Sequence, residues 1–188
     1  GIYKYPIESP ILLERETVKN DIVSDRKHHG GEYKACYLFP KEEYGFWKPL
    51  YPDFDWKWGA FGENLTVEGL NETLVRIGSI YQIGKATVQI TEPRQPCFKL
   101  GIRFGDQDIL KKFVDHGRTG TYVRILEEGE VRTGDVLNLI EESESPLTIQ
   151  QYHRLITVRE KDQELLKLAV ANDSIRRKKR DMLKKYIL

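Results

Sequence analysis

The chain has 188 residues, 39% of them hydrophobic and 31% charged, with a net charge of +1 and a mean hydropathy of −0.54; that suffices for one medium domain, or one domain with a small appendage, around a real core. No apolar run approaches the roughly 20 residues of a bilayer-spanning helix, and no secretory pattern opens the chain, although its start at Gly1 leads us to expect that something upstream was removed. Two cysteines, Cys36 and Cys97, build no disulfide framework, so a reducing, cytoplasmic setting is the simpler expectation.

Asp25-Arg26-Lys27-His28-His29-Gly30-Gly31 sets cations, imidazoles and glycines side by side, with Lys34 close behind. Glycines allow close backbone approach, and exposed amides beside cations make an anion cradle suited to phosphate. A charged surface loop is the plainer alternative. Zinc held by His28, His29 and a cysteine is disfavoured, because adjacent histidines splay apart in a strand and no paired Cys-x-x-Cys or His-x-x-x-His follows. Lys34–Phe39 reads as a short strand, and Pro40–Pro49 as a helical turn or two. Phe61–Leu70 is a glycine-punctuated turn leading into a strand, with Asn64 and Thr66 as hydrogen-bonding groups and no P-loop pattern. Tyr81 and Ile83 turn through Gly84-Lys85 into a strand in which Ala86, Val88 and Ile90 alternate with Thr87, Gln89 and Thr91.

Cys97 follows in Thr91-Glu92-Pro93-Arg94-Gln95-Pro96-Cys97-Phe98-Lys99-Leu100. The two prolines fix φ and remove donors, which predicts a stiff, non-helical turn. Arg94 and Lys99 set positive charge near the sulfur, and such charge favours the thiolate, the nucleophilic and metal-binding form. A buried structural cysteine is the bland alternative.

Gln107–His116 reads as a helix with Ile109, Leu110 and Phe113 on one face. His116–Tyr122 places another His and Arg beside glycines, and Tyr122–Leu126 and Val136–Ile140 are strands separated by turns at Gly129 and Gly134-Asp135. The fold class is mainly β, a barrel or sandwich with a few short helices. After Pro146 the period becomes helical: a helix capped by Thr148, a second over Glu160–Ala171, and a third capped by Asp173 or Ser174. This divides the chain into residues 1–145 and a three-helix unit, 146–188. The last helix concentrates charge: residues 174–188 hold seven cations and one acid, a net +6 that leaves −5 for the rest. Its apolar stripe of Ile175, Met182, Leu183, Tyr186 and Ile187 makes the cations a solvated helix face, and nucleic acid binding the lesser reading. No Gly-x-Ser-x-Gly elbow or Ser/His/Asp arrangement stands out.

Four motifs together, His29-Gly30-Gly31…Lys34-Ala35, Phe61-Gly62-Glu63-Asn64-Leu65, Glu92-Pro93-Arg94-x-Pro-Cys97-Phe98-Lys99-Leu100 and Gly117-Arg118…Gly120-x-Tyr122, resemble the MOSC-domain family in its YiiM-like branch. The resemblance covers nearly the whole chain and implies a MOSC-type β-barrel followed by three helices. It also implies a molybdenum cofactor, a pterin dithiolene bearing a phosphate, with Cys97 as metal ligand and catalytic residue. Arg26, His28, His29, Gly30, Gly31, Lys34, Asn64, Arg94 and Lys99 are implied to hold pterin or phosphate. Pyridoxal phosphate is associated with the family only through fused relatives. The implied activity is reduction of N-hydroxylated bases or related small molecules to amines. It would need a separate electron-donor reductase, since the chain has no flavin or nicotinamide motif. A sulfur or cofactor carrier, with Cys97 as persulfide or ligand without turnover, is the alternative. Pairing through the C-terminal helices into a homodimer is a further expectation. Two departures stand out: Asn20-Asp21 stands where the family usually has Gly-Asp, and family members commonly carry a further strand before the position of Gly1, which leaves open either a longer natural chain or a truly shorter protein.

Overall fold

The computed structural model describes residues 1–21 and 30–188. In chain order the elements are β1 (Ile11–Glu14), β2 (Thr17–Val18), β3 (Cys36–Pro40), α1 (Tyr44–Trp47), β4 (Leu65–Val67), β5 (Ile80–Ile83), β6 (Ala86–Pro93), α2 (Phe98–Phe104), α3 (Ile109–His116), β7 (Thr121–Glu127), β8 (Gly129–Val131), β9 (Asn138–Glu141), α4 (Ile149–Thr157), α5 (Gln163–Ala171) and α6 (Arg177–Lys184). A six-stranded mixed sheet, in the order β4-β3-β7-β6-β5-β9, and a three-stranded sheet, β2-β1-β8, form an incomplete barrel. The mainly β expectation, with a helical C-terminal region, holds.

Strand β3 lies between β4, which it pairs in parallel, and β7, which it pairs antiparallel with Tyr37 opposite Tyr122. All five of its residues are buried, because its two faces serve two cores. Successive side chains point to opposite faces of a strand. Cys36 and Leu38 therefore enter an aliphatic cluster, while Tyr37 and Phe39 enter an aromatic one with Tyr44, Trp47, Phe61, Phe104 and Phe113. This two-sided burial explains why Lys34–Phe39 shows no polar alternation. The aliphatic cluster also takes in Leu147, Ile149, Tyr152, Leu155, Leu166, Ala169, Ile175 and Leu183, so the C-terminal helices share a core with β6 and β7.

Thr148 caps α4 as expected, within a capping box completed by Gln151. Elsewhere the boundaries differ. The stiff segment around Cys97 is extended only up to the cysteine; α2 begins at Phe98, so the prolines end β6 and do not bar a helix. Gly129 opens a strand of its own, because β8 passes so close to the β5–β6 turn that a methyl group there would overlap the Lys85 carbonyl. The third C-terminal helix starts after Arg176, with no side-chain cap from Asp173 or Ser174. The last strand begins at Asn138, later than Val136.

One buried carboxylate ties the loop before β7 in place. Glu72 accepts the N–H groups of Thr119 (3.2 Å) and Gly120 (2.8 Å) and is only 2% exposed. Burial raises its carboxyl from 4.5 to about 7, against the opposing effect of those two donors. A raised acid pKa means that the folded state holds a proton which the unfolded chain has already lost. Stability should therefore fall as pH rises from 4.5 to about 7, by up to roughly 3 kcal/mol, and level off above. Urea titrations across that range should show Glu72→Gln lacking this decline. A wild-type minus variant difference that does not change with pH would mean the carboxylate stays ionised.

Candidate functional site

The C-terminal end of β6 carries the chain into the site. A register shift between Ile90 and Glu92 bends β6 just before Pro93. The Thr91 hydroxyl fixes that bend by donating to the Tyr33 carbonyl (2.7 Å). Arg94 then turns inward, 5% exposed, with its guanidinium 5.0 Å from the Tyr37 ring and 5.6 Å from the Phe113 ring. It donates to the Phe61 carbonyl, and its backbone N–H donates to the Gly120 carbonyl (3.2 Å). Gly120 has φ +73°, and a side chain there would strike the Leu38 carbonyl, so only glycine closes this junction.

Three residues past this anchor, Cys97 is partly exposed and opens on a cleft. Gly30, Lys34, Asn64, Arg94, Cys97 and Lys99 all line it, so the structure brings together six of the residues singled out in the sequence. Gly31, at φ +87°, borders an adjoining depression together with Gly30. Arg26, His28 and His29 lie outside the described residues. Cys36, by contrast, is wholly buried, and burial pushes its thiol up to about 12, as befits a core residue.

The cleft also holds residues that the sequence did not mark as site candidates: Lys4 and Tyr37, together with Asp21 of the altered Gly-Asp pair and Tyr122 of the last motif. Lys4 pairs with Asp21 at 2.8 Å, and burial lowers its ammonium below the ordinary lysine range against that attraction. Burial also works on Asp21, but the charge and hydrogen bonds of Lys4, with help from Asn64, win and bring its carboxyl down to about 2. Asn64 bridges two elements: its amide donates to Asp21 (2.9 Å), and its carbonyl accepts the Tyr37 N–H (3.0 Å). Asn20 has φ +68°, the left-handed conformation that asparagine tolerates best after glycine. Asn20, where the family usually has glycine, thus makes a left-handed turn that delivers Asp21. Lys34 lies over the Tyr122 ring (5.3 Å) and 4.0 Å from Glu92; burial lowers its ammonium, and the charges of Arg176 and Lys179 add to the effect.

The motif Glu63-Asn64 has a divided role. Glu63 is buried and structural, accepting the N–H groups of Gly59 and Phe61 (both 3.0 Å). The His116–Arg118 segment is likewise structural, since Glu43 receives both His116 and Arg118 (2.9 Å to the latter) and Phe46 stacks on the His116 ring.

The MOSC domain family model matches residues 25–138. The chain belongs to the MOSC domain family, in its YiiM-like branch. It is 41% identical to the uncharacterized protein YflK of Bacillus subtilis over 82% of this chain and 70% of that one. It is 30% identical to protein YiiM of Escherichia coli over 84% of this chain and 77% of that one. A protein of Gibberella moniliformis named Reductase is 32% identical over 85% of this chain, which spans only 29% of that longer protein. The crystal structure of YiiM from Geobacillus stearothermophilus superposes with a TM-score of 0.87 at 30% identity, covering 100% of this chain and 89% of that one.

MOSC domains as a family bind the molybdenum cofactor. In this MOSC chain the cleft with Cys97 lies within reach of a segment, residues 1–4, that precedes the matched region and lines the same cavity. Arg103 on α2 holds that segment by donating to the Ile2 and Lys4 carbonyls. Asn64 is the residue on which cleft and strand jointly depend. Asn64→Ala leaves the Tyr37 N–H and an Asp21 oxygen without their partner and should cost about 1–3 kcal/mol. Chemical denaturation measures this; a loss below about 0.5 kcal/mol would mean that water replaces both bonds without penalty.

Proposed function

We propose that the chain is a molybdenum-cofactor-dependent reductase of N-hydroxylated bases or related small molecules, acting with a separate electron donor. The observation that carries this reading is the opening of a single, partly exposed thiol, Cys97, onto a cleft whose lining includes Lys4, Lys34, Lys99 and Arg94. The relative named Reductase supports the reaction class.

The residues present fit the cofactor. Among the described residues no group of three His, Cys, Asp or Glu is placed to hold a metal ion. A dithiolene carrier brings most of its metal's ligands with it and would need one thiolate from the protein. Cys97 would be that ligand. Lys34, Lys99 and Lys4 would supply positive charge for a phosphorylated carrier, and Gly30 would supply backbone that a ligand can approach closely. When bound, the cofactor supplies the two-electron chemistry at the N–O bond.

The chain's own contribution is placement and charge. Arg94 spends its guanidinium on Phe61, Tyr37 and Phe113, so it fixes the position of the Cys97 turn from beneath. Asp21 stays anionic and holds Lys4 in the cleft wall, leaving the lysine as a charged donor with further N–H bonds to offer. Across the reaction R–NHOH gains two electrons and two protons, the N–O bond breaks, and R–NH2 and water leave. The electrons come from the partner protein and the protons from solvent.

The test is elemental analysis and turnover on protein produced with molybdate. Near-stoichiometric molybdenum and amine formation from 6-hydroxylaminopurine are expected. Cys97→Ser should fold normally by circular dichroism, yet lose molybdenum and at least about 100-fold in rate, more than the loss typical of outer-shell partners. Unchanged activity in that variant would remove Cys97 as ligand. Sulfane sulfur on Cys97 with neither metal nor turnover would turn the reading toward a carrier.

A further inference from the structure

We propose that the basic face of α6, with the cationic strip joining it to the cleft, is the docking surface for an acidic electron-transfer protein carrying a flavin or iron–sulfur centre; this rests on the reductase reading above. The fold does not need these cations. Ile175 and Leu183 anchor the segment in the aliphatic core, while Arg177, Lys178, Lys184 and Lys185 are exposed. Among the described residues no acid lies within ion-pair distance of Lys178, Lys179 or Lys185, and Arg177 reaches Asp181 only at 3.7 Å. Their position is also unfavourable for the helix. Arg177, Lys178 and Lys179 occupy the first turn of α6, which has no acidic residue, so three cations face the positive end of the helix dipole. A helix selected only for stability would carry acids there.

The charge is continuous with the site. Arg176, at the start of α6, turns inward to Glu92, the carboxylate that also faces Lys34 at 4.0 Å. Lys34 lines the cleft with Cys97. Two cations, Arg176 and Lys34, set against the one carboxylate of Glu92, thus link α6 with a net positive charge to the place where electrons are required, while residues 1–173 carry −5. Met182 and Tyr186, 46% and 50% exposed, stand on the same segment and offer apolar contact beside the charges. A small, electrostatically steered interface with an apolar centre is the kind that transient redox partners use. Each turnover takes two electrons, from one reduced flavin or from two successive one-electron iron–sulfur donors, and these reduce the N–O bond as balanced above.

The experiment compares molybdenum-loaded wild type with the combined variant Arg177→Glu, Lys178→Glu and Lys185→Glu, and with the matching Gln variant in case charge reversal disturbs folding. Each is driven once by dithionite-reduced benzyl viologen and once by a reduced plant-type [2Fe–2S] ferredoxin, an acidic probe. Viologen-driven rates should agree within about twofold, while the KM for ferredoxin should rise about tenfold or more in the Glu variant and, for wild type, with added salt. Direct titration with oxidised ferredoxin should show the same loss without any turnover. Equal ferredoxin KM and affinity in wild type and variants would overturn the docking surface. So would a DNA duplex that binds wild type more tightly than ferredoxin does and loses that binding in the variants. A wild type inactive even with viologen would instead overturn the reductase reading, and the titration would then judge the surface alone.

Discussion

The placement of Cys97 depends on one buried guanidinium. Arg94 is nearly sealed from solvent, and a buried charge persists only where its donors and field are matched. Here two aromatic faces, those of Tyr37 and Phe113, and the Phe61 carbonyl do the matching. Those three residues come from β3, from α3 and from the loop before β4, and the Arg94 backbone adds the Gly120 carbonyl before β7. One residue therefore ties four segments together, three through its side chain and one through its backbone, three residues from the thiol. Removing it would leave the Phe61 carbonyl unpaired and a void among rings.

Around that anchor the cleft is charged but locally compensated. Asp21 answers Lys4, and Glu92 answers both Lys34 and Arg176. Asp21 lines the cleft beside Lys4, and Glu92 stands 4.0 Å from Lys34, so each lysine has a carboxylate close by. Desolvation lowers the ammonium groups of Lys4 and Lys34, and an anionic guest would reverse that effect. The wall is thus arranged so that its electrostatic cost falls when an anion arrives, a form of preorganisation that needs no movement of the backbone.

Much of this was legible in the chain, for reasons that differ by residue. The β6 strand was read from strict alternation between Ala86 and Thr91, and α4 from a Thr148 cap followed by helical spacing. Cys97, Arg94 and Lys99 were found because they are neighbours in sequence. Lys4 was not, since what places it is a pair with Asp21 and a clamp from Arg103 on a distant helix. Asp21 was visible only as half of an altered Gly-Asp pair, and the turn at Asn20 shows why that alteration is tolerated. The helix α2 was hidden by Pro96 and Gly101, residues that discourage a helix locally. Pro96 lies outside it, and Gly101 packs against the side-chain amide of Gln107, which a larger residue would have to displace. The strand β8 was hidden because Gly129, the residue that looks like a turn, is what lets two sheets meet.

The two cores bear on where flexibility can reside. The aliphatic core joins the barrel strands to α4, α5 and α6, while the aromatic core holds α1, α2 and α3 against the other face of β3. Cys97 and Lys99 lie at the start of α2 and so belong to the aromatic side, whereas Arg176 and the strip toward α6 belong to the aliphatic side. The cleft is therefore where the two halves of the structure meet. The contacts that cross it are polar: Lys34 and Arg176 with Glu92, and Asn64 with Tyr37 and Asp21. A site built at such a seam has rigid walls, because each is backed by its own packed core. Charged side chains line its opening, and a charged ligand or an incoming acidic partner would act on them.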